Sequence, residues 1–103
     1  MVKGELYYVV IYRRGKNWDA NVPYAEQRGV QEHADYLVAL GHQGLVYTAG
    51  PYQDEQGGII FLNVKSLEEA QDVVANDPFV LSELVVYEIH PWTPWRTFFP
   101  ALD

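Results

Sequence analysis

Two segments of this chain, Val9-Val10-Ile11 and Ile59-Ile60-Phe61-Leu62, are apolar at every successive position instead of alternating with polar residues. Short β-branched and aromatic runs bounded by turn formers read as strands. A strand that is apolar on both sides needs cover on both sides. The chain must therefore bury both faces of a sheet with only 103 residues, the material of one domain and one core.

The rest of the sequence says what can supply that cover. "ELYYVVIYRR" (residues 5–14) is a first strand, ended by a Gly-Lys-Asn turn signal, and "GKNWDANVP" (15–23) is a loop. Pro23 suits the first turn of a helix expected from Tyr24 to about Gly41, with Val30, Ala34, Leu37, Val38 and Gly41 as its buried stripe and Gln31, Glu32 and Asp35 on its back. "LVYTAGP" is a second strand, "QDEQGG" a turn whose glycines make a hairpin, and "IIFLNV" a third strand. Ser66 with Glu69 three residues later predicts a capping box. The helix it opens, "LEEAQDVVAN", should bury Leu67, Ala70, Val73 and Val74. "ELVVYEIHPW" is the fourth strand. The order β-α-β-β-α-β predicts a ferredoxin-like α+β sandwich, with two helices on one face of an antiparallel sheet. Residues 1–103 form one domain, with 93–103 as an aromatic C-terminal tail.

Two helices cover one face only. The simplest cover for the other is a second copy of the chain, so a homodimer joined through the sheet face is expected. The tail "PWTPWRTFFPALD" agrees, because two Trp and two Phe in so few residues make a poor free end.

Charge and composition exclude several roles. A net charge of −7 repels phosphate backbones, so nucleic acid is not an expected partner. No apolar run approaches the roughly 20 residues that span a bilayer, and the first residues hold no signal-peptide pattern. The absence of cysteine excludes disulfides and thiolate metal sites and fits a cytoplasmic protein. Against the acidic background, Arg13, Arg14 and Lys16 form a local basic loop: either a solvated loop or a mouth that attracts a small anion.

Phosphate loops, G-x-S-x-G elbows and HExxH motifs are missing, and His33, His42 and His90 have no metal-ligand spacing. His33 stands at the edge of the first helix's apolar stripe, a half-buried position where an imidazole is sensitive to its neighbours. Asp77, in "NDPFV", reads as the N-cap of a short turn, with Pro78 at its first position and Phe79 inside it. A cap uses one carboxylate oxygen. The other is free to accept from an imidazole, and helices packed side by side on one sheet bring the end of the second towards the first. A carboxylate there would fix the tautomer of His33, as a general base requires.

"EHADYLVALGHQGLVYTAGP" followed by "SLEEAQDVVANDPFV" resembles the YciI-like (YCII-related) family of small dimeric α+β barrel proteins, over about Val9 to Trp92. The pieces that match are the helix-borne His, the "AGP" closing the second strand, the Ser-x-x-Glu-Ala helix start and "DPF". The resemblance implies a His33–Asp77 pair in a pocket beside the sheet, with Gly50 and Pro51 at a turn near it. It implies elimination or isomerisation on ring-derived compounds, such as dehydrochlorination of a chlorinated hydroxyquinol or the chemistry of muconolactone isomerases. Two positions depart from the family pattern: Val30 stands where Arg is frequent, and Ala34 where Leu is usual.

The expected function is thus that of a lyase or isomerase in which His33 takes a proton from a small cyclic or carbonyl substrate while Asp77 holds its ring. Tyr12 and Phe79 would line the site, Arg13 would attract charge, and neither metal nor organic cofactor is required. The alternative is a non-catalytic ligand-binding or accessory dimer.

Overall fold

The computed structural model describes residues 5–96 and Phe98. In chain order the elements are β1 (Tyr7–Arg14), a 3-10 turn (Tyr24–Glu26), α1 (Val30–His42), β2 (Val46–Pro51), β3 (Gly57–Leu62), α2 (Leu67–Ala75), the short α3 (Pro78–Leu81) and β4 (Val85–Trp92). The four strands form one antiparallel sheet in the order β2-β3-β1-β4, so this is the ferredoxin-like α+β fold. No helix of the described residues is long and apolar enough to cross a membrane.

Register explains why the strands are apolar throughout. β1 lies between β3 and β4, and Val10 stands opposite Ile60 on one side and Ile89 on the other. Successive side chains point to opposite faces. Tyr8, Val10 and Tyr12 therefore join Ile60, Leu62 and Val85 in the core beneath the helices. Val9, Ile11, Ile59 and Phe61 point to the other face, where a ring cluster of Tyr7, Tyr47, Phe61 and Trp92 lies.

Four local expectations need correcting. The first helix does not run from Tyr24: Gly29, with φ of +89°, takes the left-handed conformation that glycine allows, and the α-helix starts after it. Its inward line is Val30, His33, Leu37 and Leu40, a stripe turned by one position from the expected one, while Ala34, Val38 and Gly41 are exposed. On α2, Ala70 and Val74 are buried and Val73 half-buried, but Leu67, in the first turn, is 44% exposed. The hairpin glycines are also strand residues. A Cβ on Gly57 would lie 1.9 Å from the Tyr12 carbonyl oxygen, so only glycine allows β3 to approach β1 there.

The capping box forms with one difference. The Glu69 N–H donates to Ser66 Oγ (3.0 Å), while the Glu69 carboxylate accepts from the N–H of Lys65, one residue before the cap.

Candidate active site

"NDPFV" does what a capping sequence predicts and something more. Asp77 is extended (φ −66°, ψ 129°), Pro78 opens α3, and the Phe79 N–H donates to Asp77 Oδ1 at 2.9 Å. α3 packs on α1, and this brings the same carboxylate to His33. His33 Nδ1 lies 2.8 Å from Oδ1 and 2.9 Å from Oδ2. A third donor arrives from the sheet, the Tyr12 hydroxyl, 2.7 Å from Oδ2. Asp77 is 0% exposed and His33 6%. A buried carboxylate is tolerated because three donors from three elements replace its water.

This geometry fixes the histidine. An ionised carboxylate only accepts, so the nitrogen facing it, Nδ1, is the one that carries a hydrogen. Phe79 locks the ring plane: the two rings stack with centroids 4.0 Å apart and an interplanar angle of 5°. Nε2 has no hydrogen-bond partner among the described residues, and His33 lines a cavity of about 340 Å³.

The cavity lies between the helix side of the sheet and α1. Its floor is β2 and β3, including Gly50, Pro51, Gly57 and Gly58. Ala34 and Val38 of α1 border it, and both are exposed, so the cavity opens to solvent along that edge. Trp18 and Tyr24, from the segment between β1 and α1, close the far wall. Buried Gln27 shapes that segment: its amide donates to the carbonyls of Asp19 (2.7 Å) and Val22 (3.0 Å) and accepts from the Asp19 N–H. The segment is tied to the β2–β3 turn through Glu55, whose carboxylate accepts from the Tyr24 N–H and whose carbonyl accepts from Arg14.

The electrostatics are those of a buried anion among phenols. Burial, then the charge of Asp77 and the hydrogen bond to it, hold the Tyr12 phenol far above its ordinary range. Burial and the same charge raise Tyr24 and Tyr36. Among the described residues no group of His, Asp and Glu is placed to hold a metal ion.

Of the residues the sequence singled out, His33, Asp77 and Tyr12 meet directly, Phe79 stacks on the imidazole, and Gly50 and Pro51 lie in the cavity wall. Arg13 needs correcting: as an odd-numbered β1 residue it points to the opposite face, where it pairs with Glu88. The other two cations of the basic loop are also engaged, Arg14 over the Trp18 ring at 5.1 Å and Lys16 with Glu83 at 3.3 Å. None of the three cations lines this cavity. Trp18, Tyr24 and Gln27 were missed. Two aromatic residues in an otherwise polar connection were the available signal.

Fold and site define a ferredoxin-like α+β protein with a tautomer-fixing His–Asp pair at an apolar cavity. The chain belongs to the YCII-related family, whose model matches residues 6–93. Among solved structures it is similar to the 5-chloro-2-hydroxyhydroquinone dehydrochlorinase TftG of Burkholderia phenoliruptrix, in complex with 2,5-dihydroxybenzoquinone. The two share 21% identity at a TM-score of 0.58, over 84% of this chain and 93% of that one. Curated proteins offer no match to the sequence.

Proposed function

We propose that the protein is a small-molecule enzyme of lyase or isomerase type, with His33 as general base and Asp77 as the group that orients it. The observation that carries this reading is the buried Nδ1–Asp77 contact with Nε2 unpartnered at the cavity. A structural role would be served equally well by an imidazole with both nitrogens bonded. The similarity to a dehydrochlorinase supports an elimination. There a proton leaves ring carbon or hydroxyl for Nε2, the electron pair enters the ring, and chloride departs with its bonding pair. Tyr12 serves the carboxylate instead of the substrate, since its only hydroxyl hydrogen is directed at Asp77. A cavity this apolar, without Arg13, suits an uncharged ring.

The test is turnover of 5-chloro-2-hydroxyhydroquinone, read as chloride release, alongside deuterium exchange into enolisable cyclic ketones. His33→Gln should reduce either rate by about two to four powers of ten. Full activity in that variant would overturn the assignment. Binding without turnover of any such compound, unaffected by His33→Gln, would favour the ligand-binding alternative.

We also propose that the working form is a homodimer closed through the open sheet face. Tyr47, Val86 and Trp92, exposed by 68%, 55% and 43%, lie there beside half-buried Ile11, Ile59 and Phe61. The Arg13–Glu88 pair on the same face carries both signs and is self-complementary under a two-fold axis. The tail enters this proposal only through Trp95 and Phe98, both exposed; Thr97 and residues 99–103 lie outside the described residues.

A further inference from the structure

The cavity's polar groups can be accounted for one at a time. The Tyr12 hydroxyl is directed at Asp77. The indole nitrogen of Trp18 is sealed: it is the one buried side-chain nitrogen or oxygen among the described residues without a hydrogen-bond partner. Tyr24 differs from both. It lines the cavity, its hydroxyl bonds to no described residue, and that atom is not among the sealed ones.

Its position is fixed independently of that hydroxyl. Pro23 precedes it with φ −71°, its N–H is held by Glu55 at 2.9 Å, and its ring stands edge-on to Phe79 (6.1 Å, 86°), the residue stacked on His33. Phe79 therefore spaces the imidazole from the phenol ring, and His33 and Tyr24 both line the same cavity. Burial and the nearby Asp77 charge keep the phenol protonated, hence a donor, throughout the neutral range.

We propose that the Tyr24 hydroxyl is the ligand-oxygen subsite of this cavity, donating a hydrogen bond to a carbonyl or hydroxyl oxygen of the molecule that His33 Nε2 faces. The ligand class is then narrower than an apolar ring: a ring or conjugated compound with an oxygen acceptor. Resting on the general-base reading, the step balances. The proton passes from ligand carbon or hydroxyl to Nε2, the electron pair left behind delocalises onto the ligand oxygen, and the Tyr24 O–H stabilises that oxygen without giving up its proton.

The test separates this subsite from the base. Acetophenone and ethylbenzene share size and shape and differ in the carbonyl oxygen. Binding of each would be titrated by NMR against the wild type, Tyr24→Phe and His33→Gln. The wild type should prefer acetophenone by roughly 3- to 10-fold, the range of one net hydrogen bond. Tyr24→Phe, which keeps the ring on Phe79, should erase that preference while holding ethylbenzene as before. His33→Gln should retain it, so loss of turnover in that variant leaves the subsite standing. A preference that survives Tyr24→Phe, or a wild type that holds both probes equally or neither, would overturn the proposal. With a turned-over substrate, Tyr24→Phe should lower kcat as well as raise KM, because the bond strengthens as charge reaches the oxygen.

Discussion

The two faces of the sheet are made from the same four strands and largely the same residue types, yet they are finished differently. Beneath the helices, Tyr8, Val10, Ile60 and Leu62 are packed out of contact with water, and the polar groups admitted there converge on one carboxylate. On the open face, Val9, Ile11, Ile59 and Phe61 alternate with them in register, but their polar neighbours Arg13, Glu88 and His90 form an exposed row of ion pairs. Burial makes the difference. Where water is excluded, donors other than the Trp18 indole N–H have a defined acceptor among the described residues, and the geometry becomes specific. Where water is present, the same charges are interchangeable and weak. The face with specific geometry can carry chemistry, and the face without it is suited to being covered.

The sharpest way to break this contrast is Asp77→Ala. It strands the Tyr12 hydroxyl, the His33 Nδ1–H and the Phe79 amide in a dry site, and should cost about 3–5 kcal/mol in urea denaturation. A loss below about 1 kcal/mol would mean that water reaches the pair. Gly57→Ala follows, at about 1–3 kcal/mol, as the new Cβ forces β3 away from the Tyr12 carbonyl. On the open face, Phe61→Lys should shift sedimentation from dimer to monomer with the monomer fold, by circular dichroism, intact; an unchanged mass would remove this face from the proposed interface.

Two smaller effects are pH-dependent or local. Glu88 titrates below its ordinary value because His90 and Arg13 hydrogen-bond its carboxylate. A lowered folded-state pKa gives stability that is present above the unfolded carboxylate value, ~4.3, and lost as pH falls through the folded one. Glu88→Gln should therefore lower Tm slightly near neutrality, leave it unchanged at the acid end, and so flatten part of the decline below about pH 4.3. Tyr12, Tyr24 and Tyr36 act at the other end. Raised folded values mean that their contribution is complete below the unfolded phenol value, ~10, and falls as pH rises beyond it; Tyr12→Phe should reduce that alkaline loss. Trp18→Phe removes a donor without a partner but also trims a half-buried ring that carries Arg14, and should cost about 1 kcal/mol.

Much of this was legible in the sequence because local rules agreed. Continuous apolar strands, a capping box and Asp-Pro at a helix start each read the same way locally and in the fold, and together they give the sheet order and bring Asp77 towards α1. The failures have equally local causes. Tyr24 satisfies helix periodicity, but Gly29 breaks the helix, and a glycine's left-handed turn leaves no mark on periodicity. The stripe on α1 was displaced because Ala34 and Val38 border a cavity: apolar spacing does not distinguish a residue facing a core from one facing a hole. The cluster of Arg13, Arg14 and Lys16 reads as one basic surface in sequence, although strand alternation sends neighbours to opposite faces. Trp18, Tyr24 and Gln27 owe their places to side-chain hydrogen bonds within a connection that has no repeating pattern to read.

The central claim is that Asp77 holds His33 with Nε2 bare and facing the cavity. The most direct measurement is the pair of imidazole ¹⁵N chemical shifts of His33 at about pH 8, where an ordinary imidazole is uncharged, in wild type and in Asp77→Asn. Wild type should show a protonated Nδ1 and an unprotonated Nε2, with that fixed tautomer lost on removing the charge. A hydrogen on Nε2 in the wild type, or a tautomer indifferent to Asp77→Asn, would contradict it.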